Sequence, residues 1–434
     1  MLKFFNARRF FSNLKNEGDI LLSFRKKLSA LEYISSSMKV APEQKRRLSE
    51  EEASKNRVVR AFFSGPNDVI LYDHAKKEIP SDKSINSPRN CWNQITLPLS
   101  TNVDLRNRFV RFYTNRVRIG KLLEVLDYAA ANVSYLFCHS EPFSRSSTNV
   151  TLSMDNMHFF KPIFADKDLA ICSYPTYNGK STVEIRVDIY QDTSDKMGTD
   201  LVGSTHFLMA AREIGTHKAF QVPQLVFEGE DDEPGCALRY ELGRKLQVKR
   251  KNNSNISLFK TPPSAEESVE LHSIFMKNNQ LKEGIDYIPL EKTTMHKNLI
   301  IHLQDRNLHG KAFGGMLMRE AYEIGWLTAY SFCKGKFPEI HHIDDVMFIT
   351  PVDIGSIIKF EAKVCFTQGN LLHVGVDVIK NNPEGDKIKA SELHLALVCP
   401  DSDLKPVFPE KYSEGILYLE AKRRMKGLLE SVKV

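Results

Sequence analysis

Two stretches of the chain carry apolar residues at the spacing of a helix face. In Gly314–Cys333, the positions Leu317, Ala321, Ile324, Thr328 and Phe332 fall on one stripe, which predicts a long amphipathic helix. Ile119–Cys138, IGKLLEVLDYAAANVSYLFC, reads the same way. At about 1.5 Å per residue each helix runs to roughly 30 Å, enough to cross a domain. Elsewhere the period changes to two. Val183, Ile185, Val187 and Ile189 alternate with Glu184, Arg186 and Asp188. Ile358, Phe360, Ala362, Val364 and Phe366 alternate with polar partners, and Leu372, Val374, Val376 and Val378 repeat the pattern. Alternation with one polar face predicts antiparallel sheet. Turns are marked at Asn178-Gly179 and Gln368-Gly369-Asn370.

The two helical segments are copies of one another. At one constant offset Gly120 meets Gly315, Leu122 meets Leu317, Tyr135 meets Tyr330, Phe137 meets Phe332 and Cys138 meets Cys333. Downstream, MDNMHFFKPI (Met154–Ile163) matches IDDVMFITPV (Ile343–Val352), and Val187-Asp188 matches Val376-Asp377. One unit of roughly 110 to 120 residues therefore occurs twice, a usual domain size. Each copy reads as a long helix followed by a meander of strands, an α+β unit. The expected division is a first domain over 91–215, a linker over 216–291, a second domain over 292–402 and a C-terminal tail over 403–434. Within the linker, Glu228–Glu233 is acidic and Lys245–Lys251 basic. After Pro262-Pro263, Ser264 and Glu267 have capping-box spacing, so a short helix starts there.

Composition narrows the classes. A hydrophobic fraction of 42% and a charged fraction of 26% over 434 residues are those of a soluble globular chain of two or three domains. A net charge of +6 is too mild to suggest nucleic acid and favours an anionic small ligand. Seven widely spaced cysteines without Cys-x-x-Cys argue against a disulfide framework and a zinc site. No apolar run reaches the ~20 residues of a membrane span. Met1–Asn16 carries Lys3, Arg8, Arg9 and Lys15 with no acid before Glu17, and Phe4, Phe5, Phe10 and Phe11 add apolar bulk. Residues 1–40 thus read as a mitochondrial transit peptide, a matrix address; a basic tail is the plainer alternative. Residues 41–90 form a polar, poorly patterned extension.

The sharpest chemical signal is Asn307-Leu-His-Gly310-Lys-Ala-Phe313-Gly314-Gly315, just before the second helix. Gly310 permits a tight bend, Phe313 can pack beneath, and Gly314 and Gly315 open the helix. The free N–H groups and dipole of a helix start favour negative charge. A thioester carbonyl becoming an oxyanion is such a charge. Gly120 and Gly315, at the helix entrances, would let a ligand approach the backbone.

An Asn-x-x-Gly-x-x-Phe-Gly-Gly run opening a long helix resembles the hallmark of the hotdog acyl-CoA thioesterases. From about Cys91 to Leu419 the chain resembles the mitochondrial acyl-coenzyme A thioesterase 9-like branch of that family. FGGMLMREAYEIGWLTAYSF, DDVMFITPVDIGS and VCFTQGN are the most similar segments. The resemblance implies two tandem hotdog domains, each a long helix wrapped by antiparallel sheet, packed as an intramolecular pseudo-dimer with antiparallel helices. It also implies that an Asn before the glycine turn of one domain works with an acid two turns inside the partner's helix. In the second copy the Asn position holds Asn307 but the acid position holds Tyr322. In the first copy the acid position holds Asp127 but the Asn position holds Phe112. The copies have kept complementary halves, so Asn307 with Asp127 would complete one site.

Thioester hydrolysis needs activated water or a nucleophile, and a carboxylate serves as either. Asp127, walled by Leu123, Leu126 and Ala130, is expected to have a raised pKa. Asn307 would donate its amide to the carbonyl oxygen or hold the water, and Gly315 or Gly314 would supply the oxyanion N–H. Arg116, Arg118 and Lys311 are the candidates for the CoA phosphates by charge and proximity. The expected ligand is acyl-CoA as substrate, with no cofactor and no metal. A homo-oligomer would pair pseudo-dimers.

Blander readings stand beside these. Alone, Asp127 would be a solvated helix residue and Asn307 a turn residue. Glu320 and Glu323 read as surface positions, and Asp155, Asp344 and Asp345 as turn or cap residues. His302, His309, His341, His342 and His394 lack ligand spacing. Neither a Gly-x-Ser-x-Gly elbow nor a phosphate loop is present. The alternatives are a hotdog hydratase, for which His158 near Asp155 is the first-copy candidate, and a non-catalytic acyl-CoA binder.

Overall fold

The computed structural model describes residues 86–88, 91–138, 147–191, 200–213, 216, 218–227, 240–241, 243–245, 247–248, 258, 261–280, 287–307, 310–381, 385–400 and 403–432. The basic N-terminal segment, most of the extension after it, the acidic run at 228–233, Cys236 and His309 lie outside the described residues.

In the first copy a short strand, β1 (Asn93–Leu97), leads through a helix, α1 (Val103–Phe109), to the long helix α2 (Ile119–Cys138). Four strands follow: β2 (Ser147–Phe159), β3 (Leu169–Asn178), β4 (Thr182–Gln191) and β5 (Asp200–Glu213). The connecting region holds α3 (Ala265–Gln280) and the short strand β6 (Ile288–Pro289). The second copy repeats the plan with β7 (Met295–Ile300), the long helix α4 (Gly314–Phe332), β8 (Glu339–Ile343), β9 (Val346–Phe348), β10 (Ile357–Gln368), β11 (Leu371–Asn381) and β12 (Lys387–Val398). Strand β13 (Val407–Phe408) and helix α5 (Tyr412–Val432) close the described chain. Ser264 caps α3 as its spacing predicts: its Oγ accepts from Glu267 N–H at 3.2 Å, and Glu267 Oε2 accepts from Ser264 N–H at 2.8 Å.

The strand order is β1-β3-β4-β5-β2 in the first copy and β8-β12-β11-β10-β7 in the second, joined edge to edge through β2 and β8. At the seam Met157 pairs with Ile343 and His158 with His342; β9 adds Ser153 with Met347 and Met154 with Val346. The union removes one exposed edge from each sheet. Each long helix lies across its own sheet. Leu122, Leu123, Leu126, Ala129, Ala130 and Val133 of α2 are fully buried, as are Val187 and Ile189 of β4. The two helices also meet one another, antiparallel: Gly120 lies against Arg319 and Glu323, Gly315 against Glu124, and Gly314 against Asp127.

The structure departs from the sequence pattern in three places. First, the polar face of β4 is not solvated. Glu184, Arg186 and Asp188 are buried, Arg186 and Asp188 paired with each other and the carboxylates satisfied by neighbouring hydroxyls. Asp188 takes Arg186 Nε at 2.8 Å, Tyr174 OH at 3.0 Å and Ser204 Oγ at 2.6 Å, and Glu184 takes Thr176 Oγ1 at 3.0 Å. Buried charge survives only when paired in this way. Second, Phe366 leaves the face it was expected to share with Ile358 and Phe360. A register shift between Val364 and Phe366 turns it to the opposite side, against Tyr418 with ring centroids 5.3 Å apart. Third, the residues expected as a tail include α5, which buries Ile416, Leu419 and Met425 in a second core cluster with Phe366 and Leu371. Of the cysteines, the six described residues form no disulfide.

Candidate active site

The loop into α4 is a tight hairpin built around Asn307. Arg306 bridges to Ala312. Asn307 N–H donates to Lys311 O at 2.7 Å, and Lys311 N–H returns to Asn307 Oδ1 at 3.1 Å. Gly310 closes the bend at φ +70°, a region that costs a side chain-bearing residue energy. The Asn307 side-chain oxygen is thus committed to the turn. Phe313 N–H is fixed to Asp305 O at 2.8 Å, and the Phe313 ring stacks on Tyr128 of α2, centroids 4.2 Å apart.

Helix α4 then starts at Gly314 with Phe313 at the N-cap and no side-chain cap of its own. Its cap comes from the other copy. The Asp127 carboxylate, on α2, lies against this helix start and faces the N–H of Gly315, which pulls its pKa down, an N–H that a capping side chain would ordinarily satisfy. Thr151 of β2 donates its hydroxyl to Asp127 Oδ1 at 2.8 Å. Asp127 is 1% exposed. Burial lifts its pKa from 3.8 to about 6, against the opposing pull of the Thr151 and Gly315 hydrogen bonds.

The glycines make this approach possible. A Cβ on Gly314 would sit 3.1 Å from Asp127 Oδ2 and 3.2 Å from the Phe348 ring. One on Gly315 would sit 2.9 Å from Glu124 Cα and 2.5 Å from the Phe313 ring. Gly120 and Gly315 therefore serve the crossing of the helices, a role beyond the ligand access expected of them. Arg319 clamps the crossing, donating to Glu124 Oε1 at 2.7 Å.

The structure thus brings Asp127 to Gly314 and Gly315, on the helix that the Asn307 loop opens. Lys311 stands on that loop, ion-paired to Asp353, which Lys380 also contacts. Arg116 and Arg118 lie elsewhere. With Phe112 and Tyr322 they line a separate cavity of about 700 Å³ on the pseudo-symmetric side of the helix pair. Glu320 is not the surface position expected of it, being buried against Lys297 and Arg319, whereas Glu323 is half-buried and pairs with Arg118. Asp344 accepts from Arg424 of α5 at 2.6 Å, and Asp155 accepts from Ser153 Oγ at 3.1 Å, both structural placements. His158 faces His342 across the seam, with centroids 6.1 Å apart. Among the described residues no group of three or more His, Cys, Asp or Glu is arranged to hold a metal, and no helix is long and apolar enough to cross a membrane. Thr151 was not visible from the sequence. A threonine in a strand carries no signal until the fold sets it beside a buried acid.

Residues 119–197 match the family model of the thioesterase superfamily. The mitochondrial acyl-coenzyme A thioesterase 10 of Mus musculus is 28% identical over 365 residues, 81% of each chain. The chloroplastic acyl-coenzyme A thioesterase 2 of Humulus lupulus is 31% identical over 307 residues, 69% of each chain. An acyl-CoA hydrolase from Staphylococcus aureus, solved with butyryl coenzyme A, coenzyme A and coenzyme A disulfide, is 25% identical. That match covers 34% of this chain and 96% of the other, with a TM-score of 0.31. The long helices wrapped by antiparallel sheet make this a tandem hotdog protein, and its chemistry is thioester hydrolysis. The chain belongs to the acyl-coenzyme A thioesterases.

Proposed function

We propose that this enzyme hydrolyses fatty acyl-CoA at one composite site between its two copies, with Asp127 as the base. The observation that carries the reading is the crossed approach of the two copies: a Cβ on Gly314 would stand 3.1 Å from Asp127 Oδ2. The carboxylate of the first copy faces Gly315 N–H, at the helix start of the second. Asp127 takes a proton from a water as that water attacks the thioester carbonyl carbon. The carbonyl oxygen, becoming negative, lies against the first turn of α4. There the helix dipole, the N–H of Gly314 and the amide of Asn307 stabilise it. Gly315 N–H and Thr151 hold the carboxylate in the free enzyme, and Gly315 turns to the oxyanion as substrate enters. When the C–S bond breaks, the proton on Asp127 passes to the leaving CoA thiolate. So written, the reaction uses no cofactor. Lys311, on the Asn307 loop, is the proposed contact for a CoA phosphate, exchanging its Asp353 ion pair for the phosphate as substrate enters.

Neither hydrogen-bond partner of Asp127 is a histidine, which favours hydrolysis over the hydratase reading. The test is release of free CoA thiol from acyl-CoAs of several chain lengths. The parent turns over, and Asp127→Asn loses ~10²–10⁴ in rate, the usual worth of a general base; near-parental rates in the variant sink the assignment. We also propose a mitochondrial matrix location, supported by the basic, acid-free start of the chain and by the mitochondrial names of its relatives. Residues 1–40 fused to a fluorescent reporter should accumulate in mitochondria; a diffuse signal would reject this.

A further inference from the structure

The pseudo-two-fold that relates the copies places a second, different site opposite the first. There Phe112 stands where Asn307 stands and Tyr322 where Asp127 stands, so neither acid nor amide is available. Yet the space has not filled in: a cavity of about 700 Å³ remains, within the range of roughly 300–1,000 Å³ of ligand pockets. Its wall is mainly apolar, from Val110, Ile119, Ile163, Ile324, Leu327 and Ile340. Tyr322 is buried, and Trp326 turns its indole N–H away to Pro338 O at 3.0 Å. No charged group able to activate water replaces the lost acid, because Glu323 and Glu339 are paired to Arg118 and Arg111.

The lining of this cavity differs from its counterpart in one further way. On the catalytic side Lys311 bridges to Asp353, and the two side chains form an ion pair. On this side Arg116 bridges to Phe164 instead. Its guanidinium lies over that ring at 4.7 Å, makes no ion pair among the described residues, and leaves Nη1 buried without a hydrogen-bond partner. A buried, unmatched donor of this kind is costly unless an acceptor arrives, and a guanidinium suits a phosphate. The other cations of the lining are all committed: Arg111 to Glu339, Arg118 to Glu323, Lys161 to Asp200 and Lys297 to Glu320.

We infer that this cavity binds a second acyl-CoA thioester without cleaving it, the acyl-pantetheine arm in the apolar space and a phosphate on Arg116. The inference rests on the reading that places hydrolysis at Asp127. A mainly apolar cavity with one unmatched guanidinium in its lining fits an amphiphile with an anionic head, and the enzyme's own substrate class has that form. The occupied site would bridge α2 and α4, the two helices whose crossing also builds the catalytic end.

The test is equilibrium binding of a thioether analogue of a medium-chain acyl-CoA to the full chain, with thiol release measured on the same preparations. The parent should bind two equivalents per chain. Leu327→Trp, which fills the cavity, should bind one, and Arg116→Ala should weaken one class of site by ~10-fold, as loss of a charge-assisted phosphate contact does. Asp127→Asn should lose hydrolysis and keep both equivalents. A single equivalent in the parent that persists in Leu327→Trp would overturn the inference. So would two equivalents that neither Leu327→Trp nor Arg116→Ala alters. A single equivalent lost together with hydrolysis in Leu327→Trp would make this cavity the hydrolytic one and overturn both readings. Hydrolysis retained in Asp127→Asn, with two equivalents in the parent, would remove only the catalytic assignment. Thermal melting controls for folding, and the milder Arg116→Ala decides if Leu327→Trp fails to fold.

Discussion

Asp127 pays for its place in the site. Its pKa rises from 3.8 in the unfolded chain to about 6 in the fold. Between those values the native state holds more protons than the unfolded state, so stability falls as pH rises. The deficit is complete above about pH 6 and reaches roughly 3 kcal/mol at ~1.4 kcal/mol per unit. Asp127→Asn should therefore melt higher than the parent at pH 8, with the advantage shrinking towards pH 4, while turnover is lost. A melting difference independent of pH would contradict the burial argument. If Asp127 is the base as proposed, its ionised form does the work, and parental turnover should rise through about pH 6 and then level. Thr151→Val removes a hydrogen bond that lowers this pKa, so the acid limb of its pH–rate profile should move to higher pH; an unmoved limb would deny Thr151 its role. The proposal of Asp127 and Asn307 draws on the resemblance to a family motif and on a repeat whose copies keep opposite halves of it. Thr151 could not, since its partner stands 24 positions away on another element.

Among the elements, the long helices were the most legible. A 3.6-residue stripe persists along α4, and the Ser264–Glu267 spacing marked the start of α3. Strand periodicity told which face of β4 is polar but not that the face is covered, because alternation reports polarity and not exposure. It also failed at Phe366, where one extra residue reverses the face. What a pattern cannot show is how closely two helices approach. Gly315→Ala places a methyl carbon 2.9 Å from the Glu124 backbone, whereas on Gly120 it meets mainly flexible side-chain carbons of Arg319 and Glu323 at 3.1–3.2 Å. Gly315→Ala should accordingly cost ~1–3 kcal/mol, the usual range for overpacking, and lower activity by moving α4 off Asp127. Gly120→Ala should cost less on both counts. Denaturant titration of the two variants decides; equal losses would mean that the crossing is looser than its distances state.

At the scale of the molecule the repeat is the organising fact. Two units share a sheet seam and a helix crossing, and divergence has left one side with an acid on a helix start and the other with an aromatic-lined cavity. The single composite site is the central claim, and a double-mutant cycle on hydrolysis tests it most directly. Asp127→Asn, Asn307→Ala and the double variant are assayed with one acyl-CoA substrate, with melting as the folding control. Groups that act on one transition state give non-additive losses. The account predicts that each single variant is impaired and that the double is little slower than Asp127→Asn alone. Full multiplication of the two losses, or parental turnover by Asn307→Ala, would show that the two copies do not build one site.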